Sequence, residues 1–264
     1  MINKPIVGVA ALIFVLAAAG VYYFKSRNPP LPAAPSAPAS VSTPAQEPGI
    51  VHPLPQAGGN AAPAGALPEL ADSDTPLREA LAQLSNADAV KNFLVPQDLI
   101  RKIVVTVDNL PRQKVAVEKR PANPTAGSLI VNGDELHATL DQRNFERYKP
   151  MVAVISQLDA KQLGALYIRY YPLFQQSYQN LGYPNGYFND RLVEVIDNLL
   201  ETPDPKGPIN LVRPNVMYIY ADPALESRSA GQKLLMRMGP ESAKAIKAKL
   251  TELRAVIAAA PPKH

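Results

Sequence analysis

The chain has no cysteine and no tryptophan, and only three histidines in 264 residues. Without cysteine there can be no disulfide, no thiol nucleophile and no thiolate metal site, and the redox compartment is left open. His52 falls in a proline-rich stretch and His264 is the last residue, so His137 alone is available to a folded domain. It sits on the polar side of an expected strand and reads as an exposed surface residue. The sequence has no Gly-x-Ser-x-Gly elbow, no His-Glu-x-x-His, no phosphate loop and no dinucleotide fingerprint. No catalytic residue, cofactor site or metal site is therefore expected. An excess of one charge is also missing. Beyond residue 64, 24 Lys and Arg face 22 Asp and Glu, so nothing demands a nucleic-acid partner, which would need a concentrated basic face.

What is present begins with residues 5–24, PIVGVAALIFVLAAAGVYYF, which carry no charge. Twenty residues at about 1.5 Å each span roughly 30 Å, the hydrocarbon thickness of a bilayer. Tyr22, Tyr23 and Phe24 suit the headgroup zone, and Lys25 and Arg27 follow at once. A cleaved signal peptide is the rival reading, with Ala17-Ala18-Ala19 as its small-residue site. The aromatics and cations beyond that triplet favour a retained transmembrane helix. Lys4 and the amino terminus nearly balance Lys25 and Arg27, so charge does not set the orientation. Residues 1–4 leave no domain on their side. The expectation is a single-pass protein of the inner (cytoplasmic) membrane with a periplasmic C-terminal domain.

Residues 25–68 read as a disordered linker, since 29–68 hold 11 of the 28 prolines and 10 alanines. Forty such residues reach about 120 Å when extended and average about 35 Å as a coil. A passive spacer is the simpler reading of this stretch.

Residues 69–259 carry regular apolar periodicity and read as one globular domain, with 260–264 as a tail. The fold class expected is mainly α, or α+β with one or two short β-hairpins. Thr75-Pro76 and Asp222-Pro223 pair a capping side chain with a proline at the first turn. Val95-Pro96 opens a helix with the stripe Leu99, Ile103, Val107 and Leu110, closed by Pro111. Asp159 with Gln162 resembles a capping box. The helix behind it runs to Gly182 and Pro184 with Leu163, Tyr167, Tyr170, Phe174 and Leu181 on one face. Asn189 caps a helix ending near Leu200. A further helix is expected from about Ala224 to Met238, and Gly239-Pro240 separates it from a last one. Pro150 kinks or splits the pattern Phe145, Tyr148, Val152, Ile155, Leu158. Leu129–Val131 and Leu136–Leu140 flank Asn132-Gly133-Asp134, and Ile209–Val212 and Val216–Tyr220 flank Arg213-Pro214-Asn215; both read as hairpins.

The candidate interaction surface is Tyr183, Asn185, Tyr187, Phe188, Asp190, Glu194 and Asp197. The first four crowd aromatics around the tight turn Pro184-Asn185-Gly186, and loop tyrosines make binding surface at low entropic cost. Folding of that loop back onto the core is the plainer alternative. Asp190, Glu194, Asp197 and Glu201 then recur at spacings of four, three and four, within about 60° on one helix face. Such a stripe serves a basic partner, or it is a solvated face. Two of these carboxylates buried together would supply an acid and a base, so a carboxylate hydrolase of the envelope is one alternative. A small-ligand pocket lined by Tyr167, Tyr170 and Phe174 is another. Lys244, Lys247 and Arg254 form a basic flank on the last helix, suited to lipid headgroups or an acidic surface.

Three runs carry a resemblance: Leu94 to Arg112 (LVPQDLIRKIVVTVDNLPR), Tyr183 to Glu194 (YPNGYFNDRLVE) and Ser229 to Pro240 (SAGQKLLMRMGP). Over residues 70–258 the chain resembles an uncharacterised bacterial family, domain of unknown function 3014. The resemblance implies a bacterial protein with an N-terminal span and a low-complexity linker. It implies no activity and transfers no residue roles. The reading that follows from all this is a membrane-held, non-enzymatic interaction or scaffold module, anchored through residues 5–24, with a protein partner in the cell envelope.

Overall fold

A computed structural model of the chain describes residues 49–55, 66–85, 87–113, 119–125, 127–134, 137–215 and 217–258. The expected membrane span at 5–24, most of the expected linker and the 260–264 tail lie outside the described residues. None of the helices described is long and apolar enough to cross a membrane.

The described residues form ten α-helices and four short strands, so the fold is mainly helical, as the periodicity predicts. After a 3₁₀ turn at Leu70–Asp72 come α1 (Asp74–Leu84), α2 (Ala87–Phe93) and α3 (Leu99–Asn109). Strands β1 (Val131–Asn132) and β2 (Ala138–Leu140) precede α4 (Arg143–Glu146), α5 (Lys149–Ser156), the long α6 (Ala160–Asn180) and α7 (Phe188–Leu200). Strands β3 (Asn210–Val212) and β4 (Ile219–Tyr220) lead to α8 (Pro223–Glu226), α9 (Ala230–Arg237) and α10 (Pro240–Ile257).

The core is the meeting of α3, α5, α6, α7 and α10. Helix α10 lies against α5, α6 and α7, and α3 lies against α6 and α7. The predicted stripe of α3, Leu99, Ile103, Val107 and Leu110, is buried, as is Ile246, Leu250, Leu253 and Ile257 on α10. Each such side chain contributes about 1.5–3 kcal/mol of transfer free energy. Helix α6 runs on through Pro172, which costs the helix roughly 3 kcal/mol and one hydrogen bond. Burial of Tyr170, Leu173 and Phe174 on either side offsets that cost.

The two hairpins join into one antiparallel sheet in the order β1-β2-β3-β4. Val131 pairs with Leu140, Ala138 with Leu211 and Leu211 with Tyr220. One face of this sheet, with Ala138, Leu140, Leu211 and Tyr220, packs on Met236 and Phe145 as a second, smaller core. Glu135, Leu136 and Val216 lie outside the described residues.

Several helix limits differ from expectation, each because a tertiary contact replaces a local one. Residues 94–98 are not helical. The N–H of Val95 donates to the Pro121 carbonyl (2.9 Å), and Asp98 has φ 55°. The start of α3 is capped from afar, the N–H groups of Asp98 and Leu99 both donating to the Asp74 carboxylate at 2.7 Å. Asn189 does not cap α7. The helix begins at Phe188, whose N–H donates to Gln175 Oε1 (2.8 Å) from the neighbouring α6. The helix expected over 224–238 is two helices. Asp222 caps α8, and Ser229 restarts the chain as α9 by accepting from the Gln232 N–H (3.2 Å). Asp159 does cap α6, accepting from the Lys161 and Gln162 N–H groups at 2.8 and 2.9 Å. Pro150 splits α4 from α5.

Candidate functional site

The predicted surface assembles where the α6–α7 turn meets α3. Gly186 donates its N–H to the Tyr183 carbonyl (3.0 Å), closing the turn. A β-carbon at 186 would stand 2.8 Å from the Tyr178 ring and 3.0 Å from Tyr183 Cβ, so the close approach itself requires glycine. Tyr183 stacks on Tyr178 with centroids 4.6 Å apart. Gln175 ties the turn down a second time, donating to the Gly186 carbonyl (2.7 Å) while accepting from Phe188 and from the Tyr171 hydroxyl. Tyr183 and Tyr187 are half-buried and Asn185 is exposed, but Phe188 is fully buried between Tyr167, Phe174 and Tyr178. Phe188 was expected on the surface; it is core, because it opens α7 on the side facing α6.

Beneath Tyr183 lies a charge network that the sequence did not announce. Asp108, at the end of α3, has a side chain only 5 % exposed. It accepts from Arg112 Nη2 (2.6 Å), Arg191 Nε (3.2 Å) and the Tyr183 hydroxyl (3.3 Å). Arg191 also donates to the Asp108 backbone carbonyl (2.7 Å) and to Glu194 (2.8 Å). The Arg191 guanidinium is held strongly basic: burial lowers its pKa, and Glu194 and Asp108 more than reverse that.

The acidic stripe is largely paired. Asp197 accepts both arms of the Arg254 guanidinium, at 2.5 and 2.9 Å. Lys247 donates to the Thr202 carbonyl at the end of α7. Two members of the basic flank of α10 are thus spent inside the domain, on the acidic helix beside it; Lys244 is exposed. Glu194 pairs with Arg191, and Glu201 is exposed.

Asp190 has a different partner. Its carboxylate accepts the backbone N–H of Val51 (Oδ2, 3.0 Å) and of His52 (Oδ1, 2.6 Å). The neighbouring Asn189 donates through Nδ2 to the His52 carbonyl (2.8 Å) and to the Ile257 carbonyl (3.0 Å), while its Oδ1 accepts from the Tyr167 hydroxyl (3.1 Å). The N–H of Leu54 donates to the Tyr187 hydroxyl (3.3 Å), and the Leu54 side chain packs on the main core. Residues 49–55 of the expected linker therefore lie as a strap across the start of α7. Between strap, turn and α7 opens a cleft of about 530 Å³. Its wall includes Val51, His52, Tyr183, Tyr187, Asp190 and Glu194, and Asp108, Arg191 and Asp197 contribute as well.

Each carboxylate facing the cleft already accepts hydrogen bonds from an arginine or from backbone N–H groups. Tyr167 and Tyr171 are kept neutral, burial pushing both hydroxyls well above the usual range, with Tyr187 and Asp190 adding to it. Tyr167, Tyr170 and Phe174 are packed core, Tyr167 lying 5.5 Å from Phe174 and 6.5 Å from Phe188 between centroids. His137 is exposed beside Asp134. Among the described residues no group of three or more His, Asp or Glu side chains is placed to hold a metal ion. A second cavity of about 660 Å³ lies between the sheet and the start of α10, bordered by Asp141, Phe145, Met236 and Pro240. There the Arg143 side chain and backbone N–H hold the Asp141 carboxyl down at about 2.

The sequence missed Asp108, Arg191, Asn189 and the strap. For the strap a signal exists. Of the six large apolar residues between 29 and 68, three fall within five positions, at Ile50, Val51 and Leu54.

The fold and this face define a mainly helical domain with a small antiparallel sheet and a chain-holding groove at one helix start. Residues 99–254 match a family model described as protein of unknown function (DUF3014). The match spans more than half of the chain, and the chain belongs to that family. No curated protein and no solved structure matches it.

Proposed function

We propose that the protein is a membrane-anchored envelope protein of a bacterium, whose folded domain is a non-enzymatic interaction module. Residues 5–24 anchor it to the inner membrane, the linker presents the domain on the periplasmic side, and a protein partner docks on the Tyr183, Asn185, Tyr187, Asp190, Glu194 and Asp197 face. The observation that carries this reading is the use already made of the face. Asn189, Asp190 and Tyr187 grip four backbone groups of residues 51–54. A surface that satisfies main-chain donors and acceptors in this way is a peptide-recognition surface by its chemistry. The lack of any catalytic motif in the sequence agrees with it.

The test is in-cell crosslinking followed by affinity capture of the full chain and of a Tyr183→Ala, Tyr187→Ala, Asp190→Ala variant. The variant is expected to lose the crosslinked partner while its thermal unfolding stays cooperative. Equal capture by both would reject this face. A topology reporter fused after His264 is expected to be active only outside the cytoplasm.

A further inference from the structure

The strap reads as a ligand. Among the described residues, the four polar contacts it makes are all through its backbone atoms. The N–H groups of Val51 and His52 go to one carboxylate, the His52 carbonyl to Asn189, and the Leu54 N–H to Tyr187. Between Val51 and Leu54, Pro53 stands at the one position whose N–H is not used, and proline has none. Leu54 is the strap residue whose side chain packs on the main core; Ile50 and Val51 remain 58 % and 66 % exposed. A groove that reads backbone plus one leucine cannot tell whether the segment it holds belongs to its own chain. It is also the face on which partner docking is proposed above, so the strap covers Asp190 and Tyr187 whenever it is seated.

We infer that residues 50–54 are a built-in competitor. The groove of Tyr187, Asn189 and Asp190 binds an extended x-x-Pro-Leu segment of a partner protein, and the chain's own Val51-His52-Pro53-Leu54 occupies the groove in cis until that segment displaces it. This rests on the interaction-module reading, because the strap regulates the same face. Its strength as a competitor comes from attachment. A segment joined to the domain it binds acts at an effective concentration on the order of millimolar, and a partner's affinity falls by the fraction of molecules in which the groove is open. The contacts are few enough for exchange: two bonds to a half-buried carboxylate, two to neutral groups and one leucine.

The probe is a fluorescently labelled synthetic peptide of the strap sequence, Gly-Ile-Val-His-Pro-Leu-Pro, titrated by polarisation into the full chain in detergent. Leu54→Asp removes the side-chain anchor of the strap and leaves the groove intact. It is expected to bind the peptide at least about tenfold tighter than the unaltered chain. Asp190→Ala, alone or combined with Leu54→Asp, is expected to abolish binding. Equal affinity of Leu54→Asp and the unaltered chain overturns the competition, and no binding to Leu54→Asp overturns the groove. Light scattering on the same samples is expected to show that Leu54→Asp and the unaltered chain share one mass. A dimer lost on Leu54→Asp substitution would assign the strap to a neighbouring copy and overturn the cis arrangement. Peptide binding with unchanged partner capture by the triple variant would leave the groove standing and remove the docking face, so the two readings fail separately.

Discussion

Replacing Asp108 by alanine tests whether the charge network under Tyr183 holds the site together. The side chain is 5 % exposed and accepts from Arg112, Arg191 and Tyr183. The Arg112 side chain is half exposed, so that pair contributes about 1 kcal/mol or less. Arg191 is different. Its side chain is 17 % exposed, and without Asp108 its nearest remaining anion is Glu194, which is 62 % exposed. Leaving a mostly buried guanidinium short of its partner costs about 3–5 kcal/mol. Arg191 keeps its bond to the residue-108 carbonyl, which places the cost at the lower end, about 3 kcal/mol. For a domain of this size that is a Tm drop of roughly 6–12 °C. Urea unfolding measures the loss. A cycle with Arg191→Met, in which the second substitution adds little to the first, shows that the two side chains act as a pair. A loss within about 0.5 kcal/mol, or strict additivity, would refute the reasoning.

Two further expectations concern the sheet side of the molecule. Gly239 has φ 85°, and a β-carbon there would stand 2.6 Å from the Phe145 ring; Gly239→Ala should therefore cost about 2–4 kcal/mol, from strain and overpacking together, and a Tm shift of under 2 °C would contradict this. Asp141, with its pKa lowered to about 2 by Arg143, contributes stability that is complete above the ordinary carboxylate range and lost as pH falls toward 2. Its carboxyl carbon followed by NMR should titrate near pH 2, and a midpoint near 4 would sink the assignment.

The helical class, the Asp159 cap, the α10 start after Gly239 and the two hairpins were legible because each is written in neighbouring residues. The limits that differed were set by residues distant in sequence. Asp74 caps a helix 25 residues on, and Gln175 supplies the acceptor expected from Asn189. The acidic stripe of α7 was visible as a pattern, but its meaning was not. Periodicity shows that Asp190 and Asp197 share a face, and only packing shows that one meets Arg254 and the other a backbone from position 51. The strap itself was hidden by its surroundings. A Pro/Ala-rich stretch reads as spacer on composition, and five residues inside it are too few to shift that average.

Asn189 touches three parts of the chain at once: His52 through its carbonyl, Tyr167 through its hydroxyl and Ile257 through its carbonyl. One amide therefore joins the first described segment of the chain to the end of α10. Among the described residues, His52 and Ile257 are thus a side chain apart. A circular permutant that joins residue 258 to residue 49 through a short glycine-rich bridge, and opens new ends in the exposed stretch around Lys206 and Gly207, would keep every element in place. Anything fused beyond α10 would stand beside the strap.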